Sequence, residues 1–297
     1  MWLVFGLTAM LSFSIVNVLD SFFARDILEH PWAGSIATAI SSLVVLVLPL
    51  PLLWPFIHID WPPTSIIVIC LLAGVCLQLS NVLYFQALSY SEAGIVSAYW
   101  NLAPAVTALA SYFIFSEQLH FVQYLGIGIL IVSSVLFYVI DSSLEVKLRS
   151  FVLMVFASLL LATMFLLEEY AFEQVPFFTG FVFIHAGMIL TGIVPLFLPS
   201  IRRIVVAEVP RIAPIVRLFL TAEIFNMAAL VLSQKAIDIG EPARVSALET
   251  TMPGFTFLLS ALLVPLIPKF GDERTFFRFF RKLGLVIAMT IGVWIMS

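Results

Sequence analysis

Residues 85–119 read FQALSYSEAGIVSAYWNLAPAVTALASYFIFSEQL, and residues 233–267 read SQKAIDIGEPARVSALETTMPGFTFLLSALLVPLI. Aligned at an offset of 149, the pairs Ala87/Ala236, Glu92/Glu241, Val96/Val245, Ser97/Ser246, Ala98/Ala247, Pro104/Pro253, Thr107/Thr256, Leu109/Leu258 and Ser111/Ser260 are identical. A chain of 297 residues with a repeat of this length is two halves of one design. So long a period indicates a duplicated bundle, because solenoids and propellers repeat every 20–50 residues. The halves divide as residues 1–148 and 149–297.

What the halves are made of follows from composition. Hydrophobic residues make up 62% of the chain and charged residues 11%, with a mean hydropathy of +1.13. Such a chain cannot clothe itself in polar surface as a soluble protein does, so it is read as an integral membrane protein. The net charge of -4 arises from few charges, nearly all at the ends of apolar runs. No basic patch points to nucleic acid. The opening run MWLVFGLTAMLSFSIVNVL lacks a positive n-region and a small-residue cleavage site, and so reads as a retained first span. Cys70 and Cys76 stand six residues apart in one helix, about 9 Å along its axis, too far to pair.

A helix needs about 20 apolar residues to cross the hydrocarbon. Runs of that kind lie near 2–23, 33–56, 65–88, 93–115, 121–140, 150–172, 177–198, 213–234, 243–267 and 280–296. The expected fold is therefore all-α, with ten transmembrane helices, five per half. The stretch 201–212, IRRIVVAEVPRI, mixes charge with apolar residues and suits the interface. Five is odd, so the second half enters the membrane from the opposite side. Inverted repeats of this sort recur in secondary transporters, where two mirrored halves rock about a midplane site. A channel would need a subunit ring or a polar pore lining, and neither is evident. Of the 14 Lys and Arg residues, only Lys235 and Arg244 fall in even-numbered loops. Basic residues mark the cytoplasmic side, so this bias places both termini outside.

At the duplicated stretch the chain resembles the EamA-like families of the drug/metabolite transporter superfamily. The features that carry the resemblance are Ala87-Leu88, Glu92, the VSA triplet at 96–98, Pro104, then Glu117, Gln123 and Gly126. The second half repeats VSA at 245–247, Pro253 and Leu283-Gly284. The resemblance implies a ten-helix carrier or exporter of small organic solutes, with a central cavity lined from both halves and spans 5 and 10 at the periphery. It also implies cytoplasmic termini, against the charge count. One departure is that Leu266 stands in register with Glu117, and the second half has an acid only at Glu273, beyond the insertion IPKFGDE.

Polar residues deep in apolar spans carry whatever chemistry there is, because an ionisable group there costs at least ~2.5–3.5 kcal/mol and faces a cavity or a partner by default. They are Asn17 and Asp20 in span 1, Gln78 and Asn81 in span 3, Trp100 and Asn101 in span 4, Glu168 and Glu169 in span 6, His185 in span 7, Glu223 and Asn226 in span 8, and Glu249 in span 9. Asp20, Glu168 and Glu169 stand near span ends, where snorkelling to the interface is the expectation. Gln78/Asn81 and Glu223/Asn226 are each three apart on repeat-equivalent helices, and two such faces meeting at the midplane would make a polar pocket. Interhelical hydrogen bonding that merely holds the bundle is the bland alternative.

Glu223 is the leading coupling or substrate carboxylate, since its repeat counterpart is Gly74 and no symmetric structural need explains it. Pro104 and Pro253 lie mid-span, where the lost backbone hydrogen bond kinks a helix, so they are candidate hinges or packing kinks. The small patches Ser97-Ala98 and Ser246-Ala247 suit close helix approach, and Glu92 and Glu241 suit helix N-terminal capping.

A membrane enzyme would need clustered metal ligands or a nucleophile beside a base. His30, His58, His120 and His185 fall in different segments, so no enzyme activity, metal or cofactor is expected. The expected activity is secondary transport of a small organic metabolite by alternating access across the cell membrane, with protons as a candidate coupling ion. The competing reading is a non-transporting scaffold or assembly protein on a transporter fold. Expected partners are a small-molecule substrate and membrane lipids, and the chain is expected as a monomer or homodimer.

Overall fold

A computed structural model describes residues 1–23, 27–47, 61–88, 100, 102–114, 120–141, 148–263 and 279–296. Everything regular among them is helical. The elements are α1 (Trp2–Phe22), α2 (Pro31–Val47), α3 (Thr64–Leu88), α4 (Leu102–Ile114), α5 (Phe121–Asp141), α6 (Leu148–Phe172), α7 (Phe177–Ile193), α8 (Pro199–Ile212), α9 (Val216–Ile239), α10 (Pro242–Leu248), α11 (Met252–Leu263) and α12 (Phe279–Met296). Short 3-10 turns fill 194–197, 213–215 and 249–251.

Five of the spans read from the sequence are long and apolar enough to cross a membrane among the described residues: Trp2–Asp20, Thr64–Ala87, Arg149–Phe172, Phe177–Phe197 and the run Pro199–Ile239. Trp32–Val47, Phe121–Ser133 and Leu283–Ile295 are shorter apolar helices. Span 9 is not the single helix expected over 243–267. It is α10, a 3-10 turn at Glu249–Thr251, and α11. Pro253, second in α11, cannot donate to the Glu249 carbonyl, and the break forms at that point. Backbone groups inside a membrane must find partners within the protein. Here Ser246, Thr250 and Thr251 turn their hydroxyls onto the carbonyls of Ala243, Ala247 and Leu248 at 3.2, 2.7 and 2.6 Å. Pro104 stands third in α4 and is buried. Pro253 thus opens a helix segment, a position that suits the fixed φ and missing N–H, instead of kinking an unbroken rod.

The packing has an order that the linear reading could only suggest. α3 packs along α6 and α7, and α9, the equivalent element of the second half, packs along α1 and α2. α4 meets α6, while α10 and α11 meet α1. Of the remaining contacts, α5 with α12 and α2 with α7 join equivalent elements of the two halves, α4 meets α10 across them, and α2 packs on α3 within the first. Each half is therefore buried chiefly against the other. α3 and α7 approach each other closely enough for their backbones to touch. A Cβ on Gly74 would stand 2.5 Å from the Met188 nitrogen and nearer still to the Ile184 oxygen, and one on Gly187 would stand 2.9 Å from the Leu71 Cα. In lipid, apolar side chains gain nothing by leaving solvent, so small residues that let backbones touch supply the packing energy.

On the side where α1 ends, α8 is clasped to the loop before α2. Arg211 bonds Glu29 at 2.5 Å and Glu208 at 3.2 Å, and the Glu29 N–H donates to Glu208 at 3.1 Å. The α8 sequence mixes charged with apolar residues.

Candidate functional site

The polar residues converge between the halves. A cavity of about 110 Å³ is lined by α1, α3, the turn at Trp100, α6, α9 and the 3-10 turn that precedes α11. Its polar wall consists of Asn17, Asp20, Ser80, Asn81, Glu168, Asn226, Ser233, Gln234 and Glu249. Its apolar wall includes Phe13, Tyr84, Trp100 and Phe165. Many of these come in pairs 149 apart: Val16 with Phe165, Leu77 with Asn226, Asn81 with Leu230, Tyr84 with Ser233 and Trp100 with Glu249. The members of a pair occupy equivalent places and differ in chemistry.

Trp100 and Glu249 each stand four residues before a proline of the repeated stretch. For Glu249 the sequence explains the placement, because the 3-10 turn forced by Pro253 ends α10 in mid-bundle and releases the side chain toward the cavity. Glu249 is 7% exposed. Glu168 is fully buried on α6 and accepts a 2.6 Å hydrogen bond from Gln234 Nε2 on α9. The expectation that Asp20 and Glu168 would snorkel to the interface is thus wrong. Both line the cavity, because the close pairing of α1 with α9 and of α3 with α6 turns those positions inward. Asn17 approaches the Met252 sulfur at 4.0 Å, and Ser14 donates to the Met252 carbonyl at 3.2 Å. α1 is thereby tied to the start of α11, directly beyond the break.

A second chamber of about 50 Å³ adjoins the first and shares Val16, Asp20, Asn81, Tyr84 and Asn226 with it. Glu223 lies here, 4% exposed, its Oε1 accepting from Ser42 Oγ at 2.5 Å and from Asn226 Nδ2 at 3.1 Å. Its counterpart Gly74 now has a physical reason. Gly74 and Gly187 seal the α3–α7 crossing by backbone contact. The equivalent positions at the α2–α9 crossing are Glu223 and Thr38, and both line the chamber. One crossing is closed, and its partner holds a carboxyl.

The expected polar faces meet in part. Asn81 and Asn226 line both spaces, while Gln78 does not, since it donates to the Ser35 carbonyl and hydroxyl on α2 at 3.1 and 2.8 Å. His185 is fully buried outside both chambers, with Nδ1 2.9 Å from the Phe181 carbonyl and its ring against Phe181. Asn101, Glu92, Ser97, Ala98 and Glu117 lie outside the described residues. Gln234 was not singled out from the sequence. Its signal, a polar amide in the last third of an apolar span, becomes legible only once α6 is known to lie beside α9. Among the described residues, no group of three or more His, Cys, Asp or Glu side chains is placed to hold a metal ion.

Residues 1–139 match the model of the EamA-like transporter family, the family that the duplicated stretch resembles. No curated protein sequence matches the chain. Among solved structures, one described only as "Crystal structure of protein" superposes with a TM-score of 0.69 at 14% identity, covering 98% of this chain and 96% of its own. At that identity the likeness is one of fold.

Proposed function

We propose that the chain is a secondary transporter of a small organic solute, built from ten spans in two inverted five-helix halves. It works by alternating access around the cavity between the halves. The observation that carries this reading is that equivalent positions of both halves, such as Trp100 and Glu249 or Tyr84 and Ser233, wall one cavity. A site so placed is exposed to either side when one half rocks against the other. The substrate occupies the larger chamber. Glu223, in the smaller chamber and joined to the first through Asp20, Asn81 and Asn226, carries the coupling proton. A proton bound at Glu223 is within a side chain's reach of the substrate space, which is what coupling requires. Pro104 and Pro253 mark the places where spans 4 and 9 flex, and Trp100 and Glu249 ride on those segments.

The test is solute flux into proteoliposomes holding the purified chain, with and without an imposed pH gradient. Saturable uptake that responds to the gradient is the expected result. Protein-free liposomes matching the loaded ones for every solute in a broad metabolite panel would sink the proposal.

A further inference from the structure

The larger cavity has an uneven inventory. Its described lining contains three carboxyl residues, Asp20, Glu168 and Glu249, and no Lys, Arg or His. Three buried oxygens of residues that line it, Glu168 Oε2, Gln234 Oε1 and Glu249 Oε2, have no hydrogen-bond partner. Gln234 Nε2 donates to Glu168 Oε1, and the amide oxygen is left over. A buried acceptor left unpaired is costly, and three among the residues of one cavity call for a ligand that brings donors.

We infer that the cavity binds the primary ammonium group of a small organic amine, its N–H bonds directed to Glu168, Gln234 and Glu249 and its apolar body laid against Phe13, Phe165 and the Tyr84–Trp100 pair. The inference rests on the carrier reading for its biological meaning and on the unpaired oxygens for its chemistry. An ammonium group has three donors and no acceptor, which matches the number of oxygens. A hydroxyl brings one donor and leaves two oxygens unpaired. A carboxylate solute brings none and meets like charge. A metal ion would need ligands gathered within coordination distance, and no such cluster occurs among the described residues. The aromatic wall favours the same class. Tyr84 and Trp100 stand with ring centroids 5.6 Å apart, and aromatic faces attract cations, the more so when water is excluded.

The experiment measures thermal unfolding of the purified full chain with primary amines from methylammonium to 2-phenylethylamine, and with their alcohol, carboxylate and trimethylammonium counterparts. A primary amine is expected to raise the unfolding temperature, because a ligand that binds only the folded state stabilises it. Trimethylammonium analogues, which keep the charge and lose the donors, are expected to bind at least about tenfold more weakly, as are Glu168→Gln and Glu249→Gln variants toward the amine.

As a check that needs no variant, labelling of Glu168 and Glu249 by an apolar carbodiimide, read by mass spectrometry, should slow when amine is present. Equal stabilisation by alcohols or carboxylates, or no shift and no protection from any amine, overturns the ammonium site. Flux in proteoliposomes separates the two readings. Neutral or anionic solutes crossing while amines neither bind nor protect leaves the carrier standing without this site. Amines that bind and protect as expected, with no solute crossing, leaves the site standing without the carrier.

Discussion

Replacing Gly74 with alanine should damage both the stability of the bundle and its cavity. The new methyl would lie 2.5 Å from the Met188 nitrogen and closer to the Ile184 oxygen, whereas ordinary van der Waals contact begins near 3.4 Å. The atoms in the way are backbone, which no rotamer change can move aside, so α3 and α7 must part by about 1 Å or more. Parting thins the dispersion contacts along a helix pair whose association in lipid depends on them. Overpacking of this kind costs typically about 1–3 kcal/mol. α3 also carries Leu77, Asn81 and Tyr84 into the cavity, so the displaced wall should weaken solute binding as well. Gly187→Ala strikes the same crossing from the other side and should behave alike. Gly128→Ala is the control, since nothing lies within 4 Å of a Cβ there. Tryptophan fluorescence during thermal or denaturing-detergent unfolding in micelles measures the effect. A Gly74→Ala protein as stable as the parent, or a Gly128→Ala protein equally weakened, refutes the close-approach argument.

Glu223→Gln keeps the hydrogen bonds to Ser42 and Asn226 within reach but cannot ionise, so it should fold normally and lose the dependence of transport on a pH gradient. Wild-type uptake with an unchanged pH profile would make the residue structural. Pro253→Ala restores a donor for the Glu249 carbonyl and should heal the break toward continuous helix, slowing turnover while leaving the protein folded; unchanged turnover in it, in Pro104→Ala and in the double variant leaves the prolines as packing features. If the basic bias governs insertion, α8 and the loop at Lys269 face the cytoplasm, and a reporter fused to the C-terminus should be active only on the outer side. Activity on the cytoplasmic side would instead follow the family resemblance.

How much was legible differs by level. Apolar run length locates helices because the bilayer imposes one length on them, and duplication reveals the halves because equivalent positions keep residues such as Pro104 and Pro253. The helix break at 249–251 was within reach, given a proline four residues after Glu249, yet a proline inside a long apolar run reads equally as a kink. The depth of Glu168 was misjudged because distance from a span end was taken as distance from water. In the fold, α6 is covered by α3, α4 and α9, and the side chain has no route to the interface. Gln78 and His185 show the converse. Both are deep and polar, and each is held through one end by a neighbour, Gln78 Nε2 by Ser35 and His185 Nδ1 by Phe181, while Gln78 Oε1 and His185 Nε2 have no partner. Depth identifies residues that need a partner and does not say whether the partner is protein or solute.

Comparison of equivalent positions decides that question better than depth does. Where a pair 149 apart serves the bundle, both members should be small, apolar or hydroxyl-bearing, as in the buried pair Ala87/Ala236. Where a pair faces solute, nothing holds the two members alike. The cavity obeys this division. Trp100 faces it from one half and Glu249 from the other, Leu77 answers Asn226, and Glu168 replaces what is Leu19 in the first half. The same holds at the crossings, where Gly74 answers Glu223. Glu168, Glu223 and Glu249 lie in the second half and Asp20 in the first, while Phe13, Tyr84 and Trp100 lie in the first and Phe165 in the second. A space between the halves therefore has a lining whose chemistry differs from one half to the other. On the proposed carrier reading, the duplicated frame supplies the two-fold path by which either membrane face is opened, and the divergence of the lining is what lets the two halves hold a solute by different groups.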